Sequence, residues 1–289
     1  MSNDNRPIMV TIRCITYNQE RYIRECLEGF VMQQTDFRFE ALVHDDASTD
    51  GTADIVREYA ERYPDIIKPI FETENQYSKH DGSLGRIMDE NTHGKYVAIC
   101  EGDDYWNDPT KLQKQFDFME SHPECSLCFH SDYHLKPNGE WYLHRPKQIK
   151  EFYSIEHVLL GGGGFMATNT MFYRWEYIRK EGRPDFWKNC PIGDMPNMLF
   201  LGTKGRIGYI DSPMSTYRLA AMGSWTLRQN SMRNIIRHHK AIIKMFNEFD
   251  TYTDFRHHIV IKKKLRKNNI QLFKTILVLY VRRIKKYFK

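Results

Sequence analysis

Three carboxylates stand within four residues at Glu101-Gly102-Asp103-Asp104, directly after the apolar run 95–100. At the end of a buried strand they would repel one another in a low-dielectric setting. A cation must offset that repulsion. An all-oxygen donor set suits Mg2+ or Mn2+ shared with the phosphates of a substrate. An exposed acidic turn is the plain alternative, and the residues upstream argue against it. Thr16-Tyr17-Asn18 ends the apolar run that begins at Val10, and Asp45-Asp46-Ala47-Ser48-Thr49-Asp50-Gly51-Thr52 follows the run 39–44. Tyr17 offers a ring that can stack on a base while backbone groups of Thr16 read its edge. Asp46 can accept from a ring N–H or a ribose hydroxyl.

These groups need elements to position them. Short runs rich in β-branched residues and closed by turn residues read as strands at 10–16, 39–44, 66–71, 95–100 and 126–133. Helical patterns fill 20–34, 53–63 and 110–121. The alternation implies right-handed βαβ units and a parallel sheet. Ligands bind such sheets at the carboxyl ends of the strands, so one crevice could gather Tyr17, Asp46, Asp103 and Asp104. Residues 72–85 read as a polar loop that could cover a ligand. Residues 136–168 read as irregular and end in Gly161-Gly162-Gly163-Gly164, either a mobile or closely approached backbone at a site or a plain connector. Short strands follow at 170–173 and 207–210, and the chain is helical from 227.

The quoted strings resemble family 2 glycosyltransferases, inverting enzymes of the GT-A fold. Thr16-Tyr17-Asn18 is similar to that family's first-strand motif, the 45–52 string to its second, and Glu101-Gly102-Asp103-Asp104 to its DxD region. The likeness is strong over 10–130, weaker to 226 and absent beyond. It implies an α/β, Rossmann-like nucleotide-binding fold with a mixed central sheet and a C-terminal helical extension. It implies Asp104 and Asp103 as ligands of Mn2+ or Mg2+, with Asp103 also toward the ribose. It places Thr16, Tyr17, Asn18, Asp46 and Arg218 at the nucleotide. Asp194 matches the position of the general base, with Asp185 as the competing carboxylate. An aspartate near its usual pKa of about 3.9 is ionised at pH 7, and a helix N-terminus would keep it so. The family's usual histidine after Tyr217-Arg218 is Ala220 here, which can bind neither metal nor phosphate; Arg218 with Ser224 could carry the diphosphate instead, and Trp225 is retained.

The implied reaction moves a sugar from a nucleoside diphosphate sugar, a UDP-sugar first, to a glycan or lipid-linked acceptor of a surface polysaccharide. A sugar-nucleotide-binding partner subunit without turnover is the alternative. A sugar-phosphate nucleotidyltransferase is disfavoured, because the turn after the first strand holds no glycine.

With 289 residues and 41% hydrophobic content, the chain can bury one large core or a core plus an appendage. The expected division is a disordered lead at 1–9, a transferase domain at 10–226 split at 135 into nucleotide and acceptor halves, and an extension at 227–289. No run of eighteen apolar residues is present, and the first residues lack a secretory pattern. The six cysteines show no framework spacing, so Cys125 and Cys128 read as reduced core thiols, as expected in the cytosol. His44, His80, His93 and His130 lack metal-ligand spacing. Twelve basic residues and no acidic ones follow Asp254, leaving an acidic body despite a net charge of +5. That distribution argues against nucleic acid as a partner. Ile270, Phe273, Leu277, Tyr280, Ile284 and Phe288 recur at helical spacing beside Lys274, Arg282, Arg283, Lys285, Lys286 and Lys289. This face fits an anionic membrane surface, which would make the protein peripheral on the inner face of the cell membrane. The protein's own body or a second copy, giving a homodimer, could cover it instead.

Overall fold

The computed structural model describes residues 6–188, 190, 192–221 and 231–287, with the backbone alone from 281. Strands β1 (Ile8–Thr16), β2 (Arg38–Asp45), β3 (Ile67–Phe71) and β4 (Tyr96–Ile99) lie parallel in the order β3-β2-β1-β4. Helices α1 (Ile23–Val31), α2 (Thr52–Arg62) and α3 (Ser83–Glu90) make the crossovers. β1 is covered on both faces. Val10, Ile12 and Cys14 point to one core, while Thr11 and Arg13 point to the other side and find polar partners in Glu40 and Thr92.

The sheet is mixed. β10 (Phe172–Arg174) runs antiparallel between β4 and β6 (Cys125–His130), and β11 (Arg206–Ile210) continues parallel to β6, with β9 (Phe152–Tyr153) at the edge. A second sheet holds β5 (Tyr105–Trp106), β12 (Ser215–Arg218), β7 (Asp132–Leu135) and β8 (Trp141–His144) in that order. The run expected as one strand over 126–133 is thus two strands in two sheets. The chain leaves the first sheet at Ser131, whose N–H still donates to Ile210 O at 3.3 Å. The stretches expected to be irregular also hold structure. Asp81, two residues before α3, accepts from the N–H of its first residue, Ser83, at 2.9 Å, and Ser154 with His157 boxes the start of α5 (Ile155–Gly161).

Two cores flank the first sheet. One joins Val10, Ile12, Phe30, Ala41, Val43 and Tyr96 to α1, α2 and α4 (Lys111–Ser121). It also holds Trp106, whose ring meets Phe30 edge-on at 5.1 Å. The other joins Val97, Leu127 and Phe129 to α8 (Asp194–Gly202) and to the two last helices, Met232–Tyr252 and His258–Tyr287, through Phe246, Phe249, Ile261 and Leu265. The basic segment therefore begins as core. Past Leu265 it changes character, because Ile270, Phe273, Leu277 and Tyr280 are each more than half exposed. No helix among the described residues is long and apolar enough to cross a membrane. All six cysteines are free, and Cys125 and Cys128 are buried.

Candidate functional site

The in-step register of β1 with β2 and β4 brings their carboxyl ends level. Asp46 N–H donates to Thr16 O at 3.0 Å, and Gly102 N–H to Ile15 O at 3.1 Å. Gly102 is required at that turn. A Cβ there would lie 2.4 Å from Gln19 Oε1 and 2.7 Å from Thr16 Oγ1. The turn holds ligand oxygens of Glu101, Asp103 and Asp104 within 4.8 Å of one another. Asp104 is buried; its Oδ1 accepts from Arg218 N–H at 2.8 Å, and its Oδ2 has no hydrogen-bond partner. The Arg218 guanidinium donates to Asp103 O at 2.6 Å, pairs with Glu25, and lies over Tyr105 at 4.6 Å and Tyr22 at 5.0 Å.

The charge here is poorly met. Burial, then the Asp103 charge, holds the Asp104 carboxyl well above its usual range. Burial also raises Asp103, against the pull of Arg218. Glu101 reaches solvent at the crevice mouth, yet the protein packed around it, then Asp103 and Asp194, push it up to about 8. Three clustered carboxyls, one with an orphaned buried oxygen, fit a hard divalent cation.

Asp194 opens α8 and accepts from Met195 N–H at 2.8 Å. Its carboxyl does not keep the ordinary value expected from the sequence. Desolvation raises it, and the helix-terminal N–H groups only partly offset that. Its charge adds to the upward push on Glu101. The glycine tract approaches it: a Cβ on Gly163 would stand 3.8 Å from Asp194 Oδ2. Asp185 is 86% exposed and paired with Lys188 on the surface of α7 (Asp185–Lys188).

On the other side, Thr16 is buried and donates to Gln19 Oε1 at 2.8 Å, and Tyr17 is half-buried. Asn18 takes a left-handed φ of 53° and braces two loops. Its Oδ1 accepts from Thr49 N–H at 2.7 Å, and its own N–H donates to Ser48 Oγ at 2.9 Å. Both oxygens of Asp46 are occupied, by Gln76 N–H at 2.6 Å and Tyr77 N–H at 3.1 Å, which hold the 72–85 segment over the strand ends. The unpartnered buried oxygen is Asp45 Oδ1. Sequence reasoning missed Glu25 and Tyr217. Tyr217's phenol is raised by burial and then by the charges of Asp104, Glu101, Asp103 and Asp194. Ala220 has a φ of 54°. Ser224 and Trp225 lie outside the described residues.

Residues 11–182 match the family model described as glycosyl transferase family 2. An uncharacterised protein of Mycobacterium tuberculosis is 36% identical over 223 residues, 75% of this chain and 60% of that one. The chain thus spans about 60% of the length of such curated relatives. A UDP-Glc:alpha-D-GlcNAc-diphosphoundecaprenol beta-1,3-glucosyltransferase of Escherichia coli is 30% identical over 128 residues, 44% of this chain and 47% of that one. Among solved structures, residues 1–349 of Staphylococcus aureus TarS in complex with UDP-GlcNAc superpose with a TM-score of 0.63 at 20% identity, over 83% of this chain and 66% of that one.

Proposed function

The chain belongs to glycosyl transferase family 2 and has the GT-A fold, and from that premise we propose an inverting, metal-dependent transfer of a sugar from a UDP-sugar to a glycan or lipid-linked acceptor in surface polysaccharide synthesis. The carrying observation is the unmet charge of Glu101, Asp103 and Asp104 at the strand ends. Asp104 and Asp103 would hold Mn2+ or Mg2+, which when bound neutralises charge on the departing diphosphate. Arg218, already against this turn, supplies further positive charge. Tyr17 stacks on the base and Thr16, with the 45–46 pair, reads the nucleoside edge. Asp194 takes the acceptor hydroxyl's proton on the face opposite the leaving group. Its raised pKa makes it a stronger base than an ordinary aspartate. Residues 10–135 serve the nucleotide and 136–226 the acceptor, whose approach the glycine tract leaves open.

A thermal-shift panel of UDP-, GDP- and dTDP-sugars, with and without Mn2+, tests this reading. A bound donor at about 100 times its Kd adds about 2.7 kcal/mol of stability. Asp104→Ala should keep the fold and lose the Mn2+-dependent part of that gain. Silence toward every donor sinks the proposal.

The exposed stripe Ile270, Phe273, Leu277 and Tyr280, beside six basic residues, supports a resting place on an anionic membrane, where a lipid-linked acceptor resides. Each surface-near basic residue contributes about 1 kcal/mol. Full-length protein should sediment with anionic vesicles at low salt, and Phe273→Ser with Leu277→Ser should release it. Substitution is the cleaner test, because truncating the whole basic segment would strip Ile261 and Leu265 from the core.

A further inference from the structure

The second sheet gathers a different donor set. In the β7–β8 hairpin Asp132 lies directly opposite His144. His134 is two residues along β7, hence on the same face as Asp132. One ligand atom from each of the three falls within 4.8 Å of the others. We propose that Asp132, His134 and His144 form a second metal site, one that takes a transition-metal dication such as Zn2+.

The hydrogen bonds around the cluster carry the argument. His144 Nε2 lies 3.2 Å from Gly164 O. A carbonyl only accepts, so that nitrogen carries the proton. In the neutral ring this leaves the Nδ1 lone pair aimed at Asp132 Oδ1, 2.8 Å away. A lone pair facing a carboxylate needs a cation between them, a proton or a metal. His134 presents its Nε2 to the other oxygen, Asp132 Oδ2, at 3.1 Å without a hydrogen bond between them, while its Nδ1 meets Tyr142 OH at 3.1 Å; when that hydroxyl accepts the Nδ1 proton, Nε2 is the bare nitrogen. Asp132 is 1% exposed, and its Oδ2 has no hydrogen-bond partner. Each imidazole thus has its outer nitrogen fixed by an oxygen and its inner nitrogen aimed at one carboxylate. Metal-binding histidines are held this way, by partners that set tautomer and orientation. Two imidazoles and one carboxylate favour Zn2+ or Fe2+ over Mg2+. A metal here would also fix the glycine tract, because His144 holds Gly164 and Gly163 borders Asp194.

The test is a Co2+ titration of the full chain after stripping with EDTA, read by visible absorption. Imidazole-ligated Co2+ of low coordination number absorbs far more strongly than Co2+ in an all-oxygen octahedral shell, so the two clusters report separately. Wild type and Asp104→Asn should both show the intense band, and Zn2+ should displace it. His134→Gln and His144→Gln should each lose it. Tyr142→Phe should weaken Co2+ binding about 10-fold or more. No intense band in wild type, or a band that survives both histidine changes, overturns the site. If the histidine variants do not fold, unchanged affinity in Tyr142→Phe overturns it instead. Amide exchange over 162–165 should slow with Zn2+ in wild type and not in His144→Gln. Exchange indifferent to Zn2+ in wild type overturns the link to the glycine tract.

Discussion

Glu101, Asp103 and Asp104 sit at a strand end with their carboxyls pushed upward and the Arg218 guanidinium as their nearest charged relief. Asp132, as deeply buried as Asp104, has its carboxyl held below the usual range: burial would raise it, but His134 and His144 outweigh that. The two clusters are built from the same acid and differ in what faces it. Asp132 has an imidazole nitrogen within 3.1 Å of each oxygen, so a proton or a metal dication bound there is held in place. A carboxyl left unmet keeps its proton instead, and in the proposed reaction a cation shared with the diphosphate would take that place. The contrast separates a place for transient charge from a place for a resident one.

The largest effect expected from this contrast is kinetic. Asp194→Asn keeps the shape and the Met195 N–H contact but not the basicity, so transfer should slow by about 10²–10⁴ while donor affinity barely moves. Asp132→Asn makes the same chemical change in the paired cluster and should cost less than about tenfold. The measurement is single-turnover sugar transfer beside a donor thermal shift for both variants. Equal losses in the two variants would break the distinction between the clusters. Matching losses of donor affinity and rate in Asp194→Asn would recast Asp194 as a structural residue.

How much of this was legible follows the same division. The crevice groups lie in contiguous strings after apolar runs, so strand alternation alone put Tyr17, Asp46, Asp103 and Asp104 just past the ends of neighbouring parallel strands, which is where the fold has them. Asp194 came only from the family resemblance, since a lone aspartate before a helix is an ordinary cap. The pairing of Arg218 with Glu25 spans 193 residues, and no local pattern encodes it. The Asp132 cluster depends on hairpin register. Asp-x-His on a strand is a weak signal until β8 sets His144 opposite Asp132, and a stretch read as irregular hid that strand. The tail shows the same limit. Apolar residues at helical spacing run on from the core positions Ile261 and Leu265 to the exposed Phe273 and Leu277, and nothing in their spacing marks where docking stops.

The smallest expected effect is the most direct reading of the two charge states. Glu101 is raised from its ordinary 4.5 to about 8 in the folded chain. As pH rises above 4.5, the unfolded chain gives up this proton first. The stability contribution is therefore complete below pH 4.5 and is lost as pH climbs through about 8. Asp103, Asp104 and Asp194 are shifted the same way. Asp132 has the opposite sign: its lowered carboxyl contributes stability above its ordinary 3.8, lost only as pH falls through the lowered value. Metal-free protein should thus lose stability between about pH 5 and 8, and Mn2+ should restore it by meeting the crevice charge. Glu101→Gln should flatten that slope by about 1 kcal/mol or less, because the group keeps solvent contact and its interactions are screened. Asp132→Asn should leave the Glu101 part of that slope, alter the acid limb and, since Asp132 is what raises His144, also remove the decline His144 adds at the upper end. His144, raised chiefly by Asp132, adds its own decline at the upper end, which cancels when Glu101→Gln is compared with wild type. Urea midpoints in EDTA across that range are the measurement. Identical slopes for wild type and Glu101→Gln would mean that the crevice charge is already met without a metal, and the two clusters would then differ in composition alone.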